Sequence, residues 1–339
     1  MAANELANFT TLGVGGPATR IILAKSEEEL ISAVKACDES KEPLLILGGG
    51  SNILVSDKGF VGTVIKVETS GNSFEIDACS GGTLTVSAGT DWDEFVAFTI
   101  EKGLANLESL SGIPGTVGGS PIQNIGAYGH EVSEVIARVR TFDRKNQEIK
   151  TFTASQCEFG YRSSIFKSEA NRYVILDVTF QLRIGEESLP IGYAELAKEL
   201  GVEIGTRVAI PKVREAVLKL RGAKGMLLGH GIKSAGSFFM NPILDKKIAD
   251  ELPSDAPRWP MSDGRVKTSA AWLMEHAGVS KGDQLAGAQI SPKHVLALSN
   301  AGNATAKDLI ELAKSAQEKV RAKFGITLQT EVQLVGLSL

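Results

Sequence analysis

Leu44-Leu-Ile-Leu-Gly48-Gly49-Gly50-Ser51-Asn52 is an apolar run that halts at three glycines and two small polar residues. The aliphatic run reads as a buried strand. The glycines let the backbone turn through conformations closed to other residues and let a ligand approach the peptide N–H groups. A second such stretch stands at Ser111-Gly-Ile113-Pro114-Gly115-Thr-Val-Gly118-Gly119, running on into Gln123-Asn124-Ile-Gly126-Ala127-Tyr128-Gly129. Taken singly, each is as readily a tight turn as a phosphate cradle. As a pair, each trailed by small polar side chains, they point to one long ligand whose pyrophosphate is held from two sides. That ligand class is a dinucleotide cofactor, and the chemistry is redox. Gln123 and Asn124 add amide donors and acceptors suited to the edge of a heteroaromatic ring.

Other nucleotide motifs are excluded. Gly13-Val-Gly15-Gly-Pro17-Ala18 fits G-x-G-x-x-A, but a Rossmann turn must open a helix. Here Ile21-Ile-Leu continues as a strand, so the segment reads as a strand-to-strand turn. Neither glycine stretch contains G-K-[ST], which excludes a P-loop. The length of 339 residues exceeds one core and calls for two or three domains. A formal net charge of -4 with no basic stripe argues against a nucleic-acid binder. Cys37, Cys79 and Cys157 lack CxxC spacing and read as reduced thiols of a cytosolic protein. His130, His230, His276 and His294 are scattered, so no metal site is expected. No run reaches membrane-spanning length and no leader pattern opens the chain, which points to the cytoplasm.

Local signals place the elements. Ser26 with Glu29 predicts a capped helix to about Ser40, and Asp91 with Glu94 another from Trp92 to about Gly103. Thr83–Ala88 reads as a strand, and Arg138–Phe152 as a hairpin turning near Lys145-Asn146. In Tyr173–Arg183, alternation puts Val174, Leu176, Val178, Phe180 and Leu182 on one side. Pro211 suits the first turn of a helix ending near Gly222. Thr305 and Asp308 open a long helix that Gly325 closes, and Ile326–Val335 reads as a final strand. With no regular βαβα beat, the mixture predicts an α+β fold.

Three further segments carry polar groups in unusual settings. Tyr161-Arg162-Ser163-Ser164-Ile-Phe166-Lys167 is dense in donors beside two aromatics, and by default is a surface loop. Its functional reading needs an anion for Arg162. Gly236-Ser237-Phe238-Phe239-Met240-Asn241-Pro242 places a hydroxyl either in an ordinary turn or against a flat ligand. Glu331 falls opposite Ile326, Leu328, Val332 and Leu334 by two-residue alternation, where a solvent-facing carboxylate is the usual outcome.

Leu-Gly-Gly-Gly-Ser-Asn, Gly-Ile-Pro-Gly-x-Val-Gly-Gly with its Gln-Asn-Ile-Gly-Ala-Tyr-Gly tail, Tyr-Arg-x-Ser-x-Phe-Lys, Ala-Gly-Ser-Phe-Phe-x-Asn-Pro and a terminal Glu-Val occur in that order. Together they closely resemble the UDP-N-acetylenolpyruvoylglucosamine reductase family, flavoproteins of bacterial peptidoglycan synthesis. The resemblance runs from Asn8 to Val335. It implies a two-lobed FAD-binding domain of the vanillyl-alcohol-oxidase type and a smaller α+β substrate-binding domain. The corresponding boundaries are 1–70 with 326–339 for the first lobe, 71–221 for the second, and 222–325 for the substrate domain. It implies FAD at Gly48–Asn52, Ile113–Gly115, Gly118, Gln123, Asn124, Gly126 and Ala127. The flavin is expected to be non-covalent, because no histidine lies near Gly48–Asn52. NADPH would reduce it and leave before the sugar nucleotide binds, which accounts for the lack of a separate NADP fingerprint.

Arg162, Ser237 and Glu331 match the family's catalytic positions. Tyr161, Tyr193, Lys224 and Asn241 are the matching substrate contacts, Tyr193 on a closing loop and Lys224 near phosphates. Departures occur where Gly-Met follows Lys224, Met240 replaces a frequent lysine and Thr330 a frequent proline. A cytoplasmic monomer is expected, acting on a small sugar nucleotide. The rival readings are another FAD oxidoreductase of this fold and a non-catalytic flavin- or sugar-nucleotide-binding module.

Overall fold

The computed structural model describes residues 4–77, 81–229 and 231–339, so Cys79 and His230 lie outside the described residues. Two compact units divide the chain. One combines the chain up to Pro17 with Ser51–Phe60 and Gly229–Leu339; the other combines Ala18–Gly50 with Val61–Leu228.

The second unit opens with the Ala18–Ala24 strand, so the Gly13–Ala18 turn opens a strand and not the helix that a Rossmann turn requires. The Glu27–Ser40 helix starts where Ser26 accepts the Glu29 N–H, as the capping pattern predicts. Leu44–Leu47 then pairs in parallel with Phe60–Val67, Leu47 standing opposite Lys66. Beside this small sheet lies an antiparallel one in the order Glu148–Thr153, Ile136–Asp143, Tyr173–Ile184, Gly81–Ser87 and Asn72–Asp77. Its central strand buries not only the predicted face but also Ile175 and Thr179. A central strand packed on both sides loses the clean alternation of a half-exposed one. The Trp92–Glu101 helix begins at Asp91, whose carboxylate accepts the Asp93 and Glu94 N–H groups. Trp92, Phe95 and Phe180 meet as an aromatic cluster in the core beneath it. Ala194–Leu200 and Ile210–Ala223 close a smaller core around Leu196, Val213 and Val217.

In the first unit, Lys233–Ser237, Ala297–Asn300, Ala288–Ile290 and Gln284–Leu285 form an antiparallel sheet. The Ala306–Phe324 helix carries the expected capping box between Thr305 and Asp308 and ends at Gly325. It packs Leu309, Leu312, Ala316 and Val320 into the core. The final segment departs from expectation. Only Gln333–Val335 is a strand, parallel to Ile53–Val55. Ile326, Leu328 and Val332 are buried as predicted, yet the segment changes neighbour on its way. The Glu331 N–H bonds Phe238 O at 2.8 Å, whereas the Gln333 N–H bonds Asn52 O at 3.0 Å. No single ladder can persist across that change. With antiparallel pairing dominant and helices interspersed, each unit is α+β. Among the described residues no helix is long and apolar enough to cross a membrane.

Candidate active site

The two glycine stretches adjoin each other within one unit. A Cβ on Gly49 would stand 2.6 Å from the Gly115 Cα, so the loops approach backbone to backbone and any side chain at Gly49 would separate them. The Gly118 and Gly119 N–H groups are consumed locally by Ala88 O at 2.8 Å and Thr116 O at 2.9 Å. The N–H groups of Gly49 and Gly50 have no acceptor among the described residues. Unspent backbone donors beside a second glycine loop are what a cofactor diphosphate needs, so the chain fits the dinucleotide inferred from sequence.

Gly112, just ahead of Ile113-Pro114-Gly115, is gripped at both ends. Its N–H donates to Asp93 Oδ1 at 2.6 Å, and its carbonyl accepts from Arg221 Nε at 3.0 Å. Arg214 fixes Asp93 by donating from Nη1 and Nη2 to its two carboxylate oxygens at 2.6 and 2.9 Å. Burial works to raise the Asp93 pKa, but the Arg214 and Gly112 hydrogen bonds and the nearby guanidinium charges outweigh it and hold the carboxyl below its usual range. A depressed carboxylate stabilises the fold above its unfolded pKa and loses that contribution as pH falls through the folded value. Asp93→Asn is therefore expected to lower Tm at pH 7 by roughly 2–4 °C. The gap to the unsubstituted protein should close on acidification into and below the carboxylate range. A gap independent of pH in thermal melts would show that the charge is not what matters.

Arg162 occupies the tip of a two-residue turn. Gly160 and Ser163 exchange backbone hydrogen bonds at 3.0 and 3.1 Å around it. Its φ of 52° is left-handed, a strained choice for arginine that costs about 1–3 kcal/mol. Arg162 Nη2 donates to Gly126 O at 2.9 Å, and Lys167 Nζ donates to the Arg162 carbonyl at 2.9 Å. The guanidinium lies 5.3 Å from the Tyr161 ring centroid. Asn124 joins the same assembly: its amide donates to Glu131 Oε2 at 2.7 Å and Gly160 O at 3.1 Å, and its oxygen accepts the Ser133 N–H at 3.0 Å. The residue is fully buried, both amide hydrogens are engaged within the protein, and its oxygen already accepts one of the two bonds it can take. Asn124 ties the Arg162 turn to the Gln123–Ala127 segment.

Tyr193 meets Tyr128 edge-on, with centroids 5.5 Å apart and ring planes at 90°. Lys224 Nζ lies 5.8 Å from the centroid of Tyr128 and pairs with Glu195. Burial pushes the Tyr128 hydroxyl up to about 12. Tyr128 lies inside the second glycine stretch, and the only trace of Glu195 in the sequence is its place in the first turn of the short Ala194–Leu200 helix after Tyr193.

In the other unit Ser237 ends the Lys233–Ser237 strand opposite Ala297, half-buried, with Phe238 and Phe239 fully inside. The run that follows is joined to the end of the chain. Met240 N donates to Gln329 O at 2.9 Å, Phe239 bridges Thr330, and Glu331 N donates to Phe238 O. Asn52 Nδ2 donates to the Glu331 carbonyl at 3.2 Å. Asn241 Oδ1 accepts the Ala270 N–H at 2.9 Å at the start of the Ala270–His276 helix. Ser237, Asn241, Glu331 and Asn52 thus belong to one backbone network. Among the described residues no group of His, Cys, Asp and Glu could hold a metal ion.

Comparison with known proteins supplies the family. Residues 228–335 match the profile of the UDP-N-acetylenolpyruvoylglucosamine reductase C-terminal domain, and residues 18–152 match that of an FAD binding domain. The UDP-N-acetylenolpyruvoylglucosamine reductase of Cutibacterium acnes is 54% identical, the match covering 98% of this chain and 90% of that one. The Thermobifida fusca protein of the same name is 47% identical, over 98% and 97% of the two chains. The crystal structure of UDP-N-acetylenolpyruvylglucosamine reductase from Thermus caldophilus superposes with a TM-score of 0.68 at 27% identity, over 98% and 97% of the chains. The fold is therefore the FAD-binding α+β architecture expected from the motifs, and the chain belongs to the UDP-N-acetylenolpyruvoylglucosamine reductase family.

Proposed function

We propose that Arg162, Ser237 and Glu331 are the groups with which this chain carries out the reaction of its family. That reaction is the FAD-mediated reduction of UDP-N-acetylenolpyruvoylglucosamine in peptidoglycan synthesis, with NADPH as hydride donor. Bound FAD supplies the two-electron relay between NADPH and the sugar nucleotide. The protein manages charge and the proton. Hydride addition at the terminal enolpyruvyl carbon drives negative charge into the substrate carboxylate, and Arg162 is a preplaced cation to meet it. Ser237 delivers a proton from its hydroxyl to the adjacent carbon, giving UDP-N-acetylmuramate. Glu331 hydrogen-bonds on the carboxylate side of the substrate or holds a water there.

Gly48–Asn52 and the Ile113–Ala127 region hold FAD without a covalent link, through 1–70 with 326–339 as one lobe and 71–221 as the other. Residues 222–325 serve the sugar nucleotide, with Tyr161, Tyr193, Lys224 and Asn241 as contacts. The protein works in the cytoplasm as a monomer. The observation that carries this reading is the joining of Phe238–Met240 to Gln329–Glu331, because it gives Ser237 and Glu331 a common frame although they are far apart in sequence. The purified protein should be yellow and should oxidise NADPH only when the enolpyruvyl sugar nucleotide is present. Ser237→Ala should leave flavin reduction by NADPH unchanged and slow reoxidation by substrate about 10²–10⁴-fold, measured by stopped-flow absorbance. Equal losses in both half-reactions would make Ser237 structural.

A further inference from the structure

Lys66 belongs to none of the motifs, yet its side chain ends on the first glycine loop. It stands on the Phe60–Val67 strand directly opposite Leu47, the last strand residue before the glycines. Its Nζ donates to the Gly48 carbonyl at 2.7 Å. The Gly48 C=O and the Gly49 N–H are opposite ends of a single planar trans peptide, so holding one end aims the other. A peptide flanked by two glycines meets less steric resistance to rotation than one flanked by residues with side chains. The close approach of Gly49 to Gly115 restrains where the Cα atoms of the loop lie. The Lys66 ammonium adds a charged hydrogen-bond donor to one end of the Gly48–Gly49 peptide plane. The Gly49 N–H at the far end has no acceptor among the described residues. A cation on the carbonyl also polarises the peptide and strengthens its N–H as a donor. Burial disfavours the charged form of Lys66 and lowers its pKa, with Glu68 partly offsetting this, a cost that a surface lysine would not bear.

We propose that Lys66 is a positioning residue for the cofactor: it locks the Gly48–Gly49 peptide so that the Gly49 N–H is presented to a diphosphate oxygen of FAD. This rests on the reading that Gly48–Asn52 holds that diphosphate, and the two ideas are separable. The full-length chain is stripped of flavin and titrated with FAD by fluorescence quenching, as the unsubstituted protein, Lys66→Met and Lys66→Arg. Glycine-selective ¹⁵N labelling reports the Gly49 amide in parallel. Lys66→Met should raise the FAD Kd about tenfold, and Lys66→Arg should restore it to within about twofold. Addition of FAD should move the Gly49 amide proton downfield in the unsubstituted protein and by about half as much or less in Lys66→Met. An unchanged Kd, or an undiminished Gly49 shift in Lys66→Met, overturns the role given to Lys66. A Gly49 amide that ignores FAD in the unsubstituted protein overturns the placing of the diphosphate instead. Should Lys66→Met melt before titration, Lys66→Ile carries the same prediction on a strand-favouring side chain.

Discussion

Arg162→Ala is expected to cut the rate of substrate reduction about 10²–10³-fold, a loss of about 3 kcal/mol of transition-state stabilisation. A left-handed φ at a non-glycine residue is retained only where the surroundings over-determine it, and here a reciprocal Gly160–Ser163 pair, the Asn124 amide and the Lys167 ammonium do so. Strain of that kind at a guanidinium aims a charge before substrate arrives, which is the condition for electrostatic preorganisation. The measurement is a pair of half-reactions. Reduction of the flavin by NADPH should survive, while reoxidation by the enolpyruvyl sugar nucleotide should collapse. Because Arg162 also bonds the Gly126 carbonyl, the opposing outcome is concrete: if only flavin retention suffers, the residue is a strut and the enolate lacks this partner. Arg162→Lys keeps the charge but not the fork, and should recover only part of the rate.

Gly49→Ala should abolish flavin binding. One added methyl would stand 2.6 Å from the Gly115 Cα, nearer than nonbonded carbons come, and both partners are backbone with no side chain to swing aside. The loops must part, and the donors at Gly49 and Gly50 move with them. The variant should purify colourless, and its flavin-free form should keep a cooperative melt because the clash lies at a loop rather than in the aromatic core around Trp92 and Phe180. A yellow Gly49→Ala protein with ordinary FAD affinity would show that the loops give way without consequence for the cofactor.

What the sequence made legible was local. Ser26, Asp91 and Thr305 announce helices because a cap is a contact between near neighbours in the chain. Leu44–Leu47 followed by glycines is a strand and its stop, read from consecutive residues. The Asp93–Arg214–Gly112–Arg221 clamp was invisible, since ion pairs between distant residues leave no periodic trace and a charged residue on a helix face is ordinarily solvated. The internal partners of Asn124 were hidden for a related reason: sequence shows that an amide exists but not which neighbours it bonds. Glu331 exposes a limit of two-residue alternation. An extended segment buries every second side chain whether it pairs with one strand or passes from one neighbour to the next, so the pattern gave the burial of Ile326, Leu328 and Val332 but not the change of partner.

That change of partner has a bearing on biosynthesis. The unit holding Ser237 closes by laying Gln333–Val335 alongside Ile53–Val55, which is synthesised long before it. A ribosome-bound chain can complete the other unit's small parallel sheet and central antiparallel strands while this one stays open. Such long-range closure is slow and leaves apolar surface uncovered in the interim. Until Gln333–Val335 has been made, Ile53–Val55 lacks its companion strand and the backbone frame shared by Ser237 and Glu331 stays incomplete.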